Sequence, residues 1–179
     1  MKNLIYAAGV LLMMILAMPS FMFAQDSRDS KLIDDSKYAR DQFIKSDNLM
    51  QSLFNNSAGY AIFPNVGKGG IGIGGAAGNG ILFENGKIVG RARMKQVSVG
   101  FQFGGQAYRE VIFFENTAAL DRFKQNKLEF TARASAVAAK SGAAANVKYA
   151  DGVMVFTQEK GGLMYEATIG GQKFNYMSF

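Results

Sequence analysis

Residue types that commonly carry out catalysis are sparse in this sequence. It contains neither histidine nor cysteine, so the commonest general base, the thiolate nucleophile and the usual zinc ligands are missing. Ser98 and Ser135 have no histidine or cysteine companion, and nothing signals the possible pairing of a serine with Lys95 or Lys140. The adjacent Asp34 and Asp35 fall on a predicted helix surface. We therefore expect no enzymatic activity, no metal and no cofactor. A hydrolase built on one of these serines or on a paired acid is the remote alternative.

The cations Arg91, Arg93 and Lys95 are the strongest sign of binding chemistry, because they are spaced by two. Alternate residues of a strand share a face, so the three side chains would stand side by side and repel each other. An anionic partner relieves such repulsion, whereas a merely solvated face is the plainer interpretation. We predict an anion-binding basic sheet face, with these candidate residues: Lys68, Arg91, Arg93, Lys95 and Arg109.

A glycine-rich tract is the second candidate feature. Residues 72–77 superficially resemble a dinucleotide-binding fingerprint, but more glycine follows where that motif needs a helix. Glycines spaced by two in a strand leave bare backbone on one face, so a chain segment or a ligand is expected close against it. Close packing is the favoured interpretation. The candidate glycines are Gly67, Gly69, Gly70, Gly72, Gly74 and Gly75.

The patterning predicts an α+β fold in which N-terminal helices pack on a curved, mostly antiparallel sheet that could approach a barrel. Residues 26–56 have helical periodicity with a break at 46–48, and Asp29 or Ser30 could cap the start. Asn85-Gly86 suits a type I′ hairpin turn, and Asn116 or Thr117 could cap a short helix. Short apolar runs predict strands at 60–63 (stopped by Pro64), 81–83, 88–89, 97–103, 111–114, 130–137, 153–156, 163–169 and 173–179, with a loop at 141–145.

The N-terminus has the layout of a secretory signal. Lys2 supplies a positive start, residues 4–18 form an apolar run, and Ala24 offers a small residue at a cleavage point. We expect residues 1–24 to be a signal peptide and residues 25–179 to form a single domain, helical over 25–57 and glycine-rich and β over 58–179. The mature protein would lie in the periplasm or cell envelope. Retention of the apolar run as a membrane anchor is the alternative.

The net charge of the chain indicates which classes of partner it could bind. The formal net charge is +6, but the basic residues are not clustered in a nucleic-acid-binding motif, so no nucleic-acid partner is expected. A modest positive charge suits an anionic membrane surface.

Several of these segments, in this order, resemble the SYLF domain family. The resemblance lies in residues 61–72 (AIFPNVGKGGIG), 98–106 (SVGFQFGGQ), 111–114, 120–123 (LDRF), 132–139 and 161–163, and it extends from about Asp29 to the C-terminus. The family is known for binding lipids, phosphoinositides in eukaryotic members, and some members bind actin. The resemblance therefore implies a lipid-binding module and not an enzyme.

Export changes which ligand the resemblance implies. An exported domain meets neither actin nor cytosolic phosphoinositides, so the expected partner is anionic phospholipid at a membrane surface. The alternative is a structural or protein-interaction domain of the cell envelope with no lipid ligand.

Overall fold

The computed structural model describes residues 19–71, 73–99, 106–130, 135–140, 142–160 and 166–179. Two helices lead into the sheet, α1 (Pro19–Ser46) and α2 (Leu49–Asn56). The predicted break between them is confirmed: the carboxylate of Asp47 accepts hydrogen bonds from the backbone N–H of Leu49 (3.0 Å) and Ala144 (2.9 Å). The predicted start is wrong, because Asp29 and Ser30 lie inside α1 and cannot cap it.

The strands that follow form one sheet of eight members. Their order across the sheet is β7-β5-β6-β4-β1-β2-β3-β8, and every pairing is antiparallel except that of β5 with β6. The predicted α+β class with a mostly antiparallel sheet is therefore confirmed. The bounds are β1 (Gly59–Ile71), β2 (Ile73–Glu84), β3 (Lys87–Val99), β4 (Gln106–Phe114), β5 (Ser135–Ala138), β6 (Val153–Glu159), β7 (Glu166–Thr168) and β8 (Gln172–Ser178).

The sheet is strongly curled, as a buried hydrogen bond between two strands that are not neighbours shows. Three strands separate β4 from β8, which in a flat sheet would place them roughly 19 Å apart. The side chain of Gln172 on β8 nevertheless donates to the carboxylate of Glu110 on β4 at 3.0 Å. No pairing joins β7 to β8 among the described residues, so the predicted barrel-like curvature does not reach a closed barrel.

Burial on both faces explains the unbroken apolar runs of the central strands. On the inner face, which lines the curl, Phe63 and Ile112 pack with the short helix α3 (Thr117–Lys124). On the outer face, Ile62 and Phe113 pack beneath α1 and α2. Because successive side chains of a strand alternate between faces, a strand covered on both sides needs apolar residues at every position.

Local turn chemistry is as predicted at two places. Asn85 and Gly86 have φ values of 50° and 73° between β2 and β3, as a type I′ turn requires. The side chain of Asn116 accepts a hydrogen bond from the backbone N–H of Ala119 at 3.0 Å and so caps α3.

Pro64 does not end its strand, which corrects the prediction made at that position. β1 continues to Ile71, and the register of its pairing with β2 shifts between Ile62 and Asn65. Proline has no N–H to donate, so it is tolerated in a sheet at such a bulge.

At the loop predicted at 141–145, a 3₁₀ helix spans Ala143–Asn146. The parts of predicted strands at 100–103, 131–134 and 163–165 lie outside the described residues.

A polar cluster sits inside the curl. Glu110 and Gln172 are fully buried, and Thr157, opposite Glu110 on β6, is nearly so. Burial raises the pKa of Glu110 from 4.5 to about 7, although the hydrogen bond from Gln172 opposes the shift. One oxygen of Glu110 and the amide oxygen of Gln172 find no hydrogen-bond partner among the described residues. A carboxylate is therefore costly at this position.

This burial predicts that stability falls as pH rises from 4.5 to about 7. Over that window the unfolded chain releases the Glu110 proton while the folded protein keeps it, which costs on the order of 3 kcal/mol. Glu110→Gln should remove this part of the pH dependence, because two facing amides can each donate and accept. The measurement is urea unfolding of both proteins from pH 4.5 to 8. The exposed Glu115→Gln variant is the control, and equal pH profiles for Glu110→Gln and the unsubstituted protein would contradict the prediction.

Candidate anion-binding face

The three cations predicted to share a strand face do share one. Arg91, Arg93 and Lys95 alternate along β3 with Ala92 and Met94, which are buried in the inner core. The cations therefore project from the outer face, at the side of the sheet next to edge strand β8.

Arg91 forms an ion pair that links α1 to the sheet. Its guanidinium donates to the carboxylate of Asp29 at 2.9 Å, and both side chains are partly buried. It therefore joins the N-terminal half of α1 to β3.

A fourth cation, Lys173, completes the face and was not among the predicted residues. It stands directly opposite Lys95 in the β3–β8 register, and its ammonium lies 3.1 Å from the carboxylate of Glu129. The strand containing Lys173 was predicted correctly, but only the pairing of β8 with β3 places the two lysines together. We define the basic face as Arg93, Lys95 and Lys173, which are all exposed.

A groove of about 530 Å³ lies between α1 and this part of the sheet. Arg28 and Lys31 of α1 line one side, and Arg93 lines the other, where its Nε donates to the side-chain oxygen of Asn79 at 3.4 Å. Asp29 and Asp35 also line the groove, and these carboxylates pair with Arg91 (2.9 Å) and Lys31 (3.8 Å). Sequence analysis missed Arg28 and Lys31, because the helix carries mixed charges and only its docking shows which of them face the sheet.

The remaining two predicted cations lie elsewhere. Lys68 points to the inner face, since it pairs across the sheet with Ala76 of the inner core, and burial lowers the pKa of its ammonium. Arg109 is on the outer face of β4, with two strands between it and β3. Its guanidinium covers the ring of Tyr38 at 5.6 Å and donates to Gln158 at 3.2 Å. Neither residue belongs to the basic face.

Comparison with known proteins identifies the family. A family model described as "Las17-binding protein actin regulator" (Ysc84) matches residues 95–176, from the exposed part of β3 to β8. Beta cell expansion factor A of Aeromonas veronii is 32% identical over 124 residues, which cover 68% of this chain and 47% of that protein. The chain thus spans about half the length of this relative. This chain carries a SYLF domain. The predicted resemblance is confirmed, and the domain belongs to a family of binding modules.

The glycine tract of this SYLF domain forms the paired ends of β1 and β2. Gly69 faces Gly75 and Gly70 faces Gly74 across the hairpin, while Gly72 lies outside the described residues. A methyl group added at Gly67 or Gly69 would meet nothing within 4 Å. The expected close neighbour is therefore absent at these two described positions.

Close packing does occur on β2, at Gly75 and at Gly80, which extends the tract along the strand. A methyl group on Gly80 would lie 2.4 Å from the carbonyl oxygen of Ile62 and 2.7 Å from the ring of Phe63. One on Gly75 would lie 3.1 Å from the carbonyl oxygen of Gln96. The tract therefore has a packed part, which needs glycine, and an open part, which does not.

Two further properties bear on function. No group of acidic side chains in the described part of the chain is arranged to hold a metal ion. Among the described helices, none is both long enough and apolar enough to cross a membrane.

The two parts of the glycine tract predict opposite responses to alanine. Gly80→Ala should destabilise the domain by about 2 kcal/mol or more, because backbone and a buried ring must move. Gly69→Ala should be neutral or stabilising by up to about 1 kcal/mol, because alanine restricts the unfolded chain and meets no obstacle. Chemical denaturation of both variants measures this. Similar losses at the two positions would contradict the packing assigned to the tract.

Proposed function

We propose that this protein binds anionic phospholipid at a membrane surface through the basic face, and that it is not an enzyme. The observation that carries the proposal is the juxtaposition of Lys95 and Lys173 on neighbouring strands, with Arg93 one step further along the same face. Like charges placed directly opposite on a sheet are destabilising. Glu129 already pairs with Lys173 at 3.1 Å, so Lys95 and the neighbouring Arg93 supply the charge that an anionic partner would neutralise.

Exposed apolar side chains extend the basic face. Val97 follows Lys95 on the same side of β3 and is 73% exposed, while Met177 lies on the same side of β8 and is 38% exposed. Phe179, directly after β8, is 58% exposed. Cations beside exposed apolar groups suit a membrane interface, where phosphates meet the first carbons of the acyl chains.

The groove beside α1 would accommodate a headgroup. Arg28, Lys31 and Arg93 line it from two sides, and guanidinium groups bind phosphate oxygens with paired hydrogen bonds. The carboxylates of Asp29 and Asp35 are engaged with cations of their own. A lipid phosphate could therefore approach Arg93 without facing an unneutralised carboxylate.

Family membership supports the same class of function. SYLF domains are associated with lipids or with actin-regulating partners, and the family is one of binding domains. We further propose that residues 1–24 direct export, which makes envelope phospholipid the available ligand. Residues 1–18 of that signal lie outside the described residues.

Vesicle co-sedimentation tests the basic face. We expect binding to vesicles that contain phosphatidylglycerol and little binding to phosphatidylcholine alone. Each cation near an anionic surface contributes about 1 kcal/mol, so the Lys95→Glu/Lys173→Glu double variant should bind about thirtyfold more weakly or worse. High salt should weaken binding of the unsubstituted protein, because it screens exposed charges.

Lys87→Glu is the matched control, since Lys87 is an exposed lysine at the opposite end of β3. It should bind vesicles nearly as well as the unsubstituted protein. Equal losses in control and double variant would point to net charge and not to this face. If no vesicle is bound at all and cross-linking recovers one envelope protein, the protein-interaction alternative is favoured.

Export is tested separately by intact-mass measurement of the protein purified from its host. Cleavage after Ala24 should leave a chain that begins at Gln25. A full-length mass in the membrane fraction would instead support the uncleaved anchor.

A further inference from the structure

A second concave site lies away from the basic face. It is a cleft of about 300 Å³ between the segment that follows α3, the segment before β6, and β6 itself. Among the described residues, the pairing of β5 with β6 is confined to Phe156 and Thr157 of β6. No pairing with β5 is described at Val153–Val155, and the cleft opens beside them.

Part of the cleft lining is apolar. Val153, Met154 and Val155 of β6 line it together with Leu128 and Ile169. These five side chains are nearly buried, whereas Phe130, Val137 and Val147 at the same cleft are only partly covered. Partly covered apolar side chains facing one cavity favour an apolar occupant, because its binding removes their remaining surface from water.

The rim of the cleft carries an excess of unneutralised positive charge. Arg122, Lys127 and Lys148 line it. Of the two acidic residues there, Glu129 is held by Lys173 at 3.1 Å, a lysine outside the cleft. The guanidinium of Arg122 donates to the backbone carbonyl of Asp151. Three cations against one unpaired acid complement an anionic end group.

We propose that this cleft binds one acyl chain of a fatty-acid-class amphiphile, with its carboxylate at Lys148 and Arg122. A volume near the lower end of the ligand-pocket range, roughly 300–1,000 Å³, suits a single medium-length chain and not the two chains of a phospholipid. The apolar part of the lining would contact the acyl chain. The basic rim would hold the carboxylate at the solvent-exposed end of the cleft.

The site is separate from the one that would bind the membrane surface. None of Arg93, Lys95 or Lys173 lines the cleft, and none of the cleft cations lines the groove beside α1. Lys173 pairs with Glu129 of the cleft rim, so Arg93 and Lys95 are the residues of the basic face at which binding to vesicles can fail without affecting a free amphiphile.

Titration calorimetry with decanoate below its micelle concentration tests the proposal. We expect one decanoate per protein. Ala150→Trp should weaken binding about tenfold or more, because Ala150 is an exposed residue of the cleft lining and an indole there would occupy the space. Ala145→Trp is the matched control, since Ala145 is exposed and is not among the residues lining the cleft.

A second variant tests the rim without altering the walls. Lys148→Glu should weaken decanoate binding about fivefold and leave binding of neutral decanol unchanged, because only the acid loses a charge partner. The Arg93→Glu/Lys95→Glu variant leaves the Lys173–Glu129 pair intact, so it should bind decanoate normally while its vesicle binding is weakened. The proposal is overturned if the unsubstituted protein binds no decanoate, or if Ala150→Trp and Lys148→Glu both bind it as well as Ala145→Trp does. Binding only as part of phospholipid vesicles would overturn it too.

Discussion

Burial of the central strands on both faces is the constraint on which the rest of the structure depends. β1, β4 and β6 carry apolar side chains at successive positions, so each face needs its own cover. The outer face is covered by α1 and α2, and the inner face by the curl of the sheet together with α3. Both proposed binding sites lie where this double cover is incomplete: the basic face at the β3–β8 side, and the cleft beside Val153–Val155 of β6.

The same constraint separates residues that look equivalent in sequence. Arg91, Arg109 and Lys95 all project from the outer face, yet α1 engages the first two through Asp29 and Tyr38. Lys95 remains exposed because α1 packs on β1 and β2. A cation under the helix stabilises the fold, and one beyond it is available to a partner. The difference is set by where the helix ends its contact, which no local pattern encodes.

The sequence predicted most of the elements, because local chemistry determines them. The break after α1, the Asn85-Gly86 turn, the cap at Asn116 and the doubly buried β4 all follow from neighbouring residues. The end of β1 was predicted wrongly because a bulge accommodates Pro64. The predicted cap of the first helix was wrong because α1 continues through Asp29, whose carboxylate pairs with Arg91 on β3.

By itself, the sequence determined the α+β class, the family, the lack of histidine and cysteine chemistry, and the shared face of Arg91, Arg93 and Lys95. Only the tertiary structure decided that Lys68 lies on the opposite face, that Arg109 packs on Tyr38, and that Lys173 joins Lys95. Alternation along one strand is a property of the backbone and can be counted. Which strands become neighbours, in which register and under which helix, depends on packing between residues far apart in the chain.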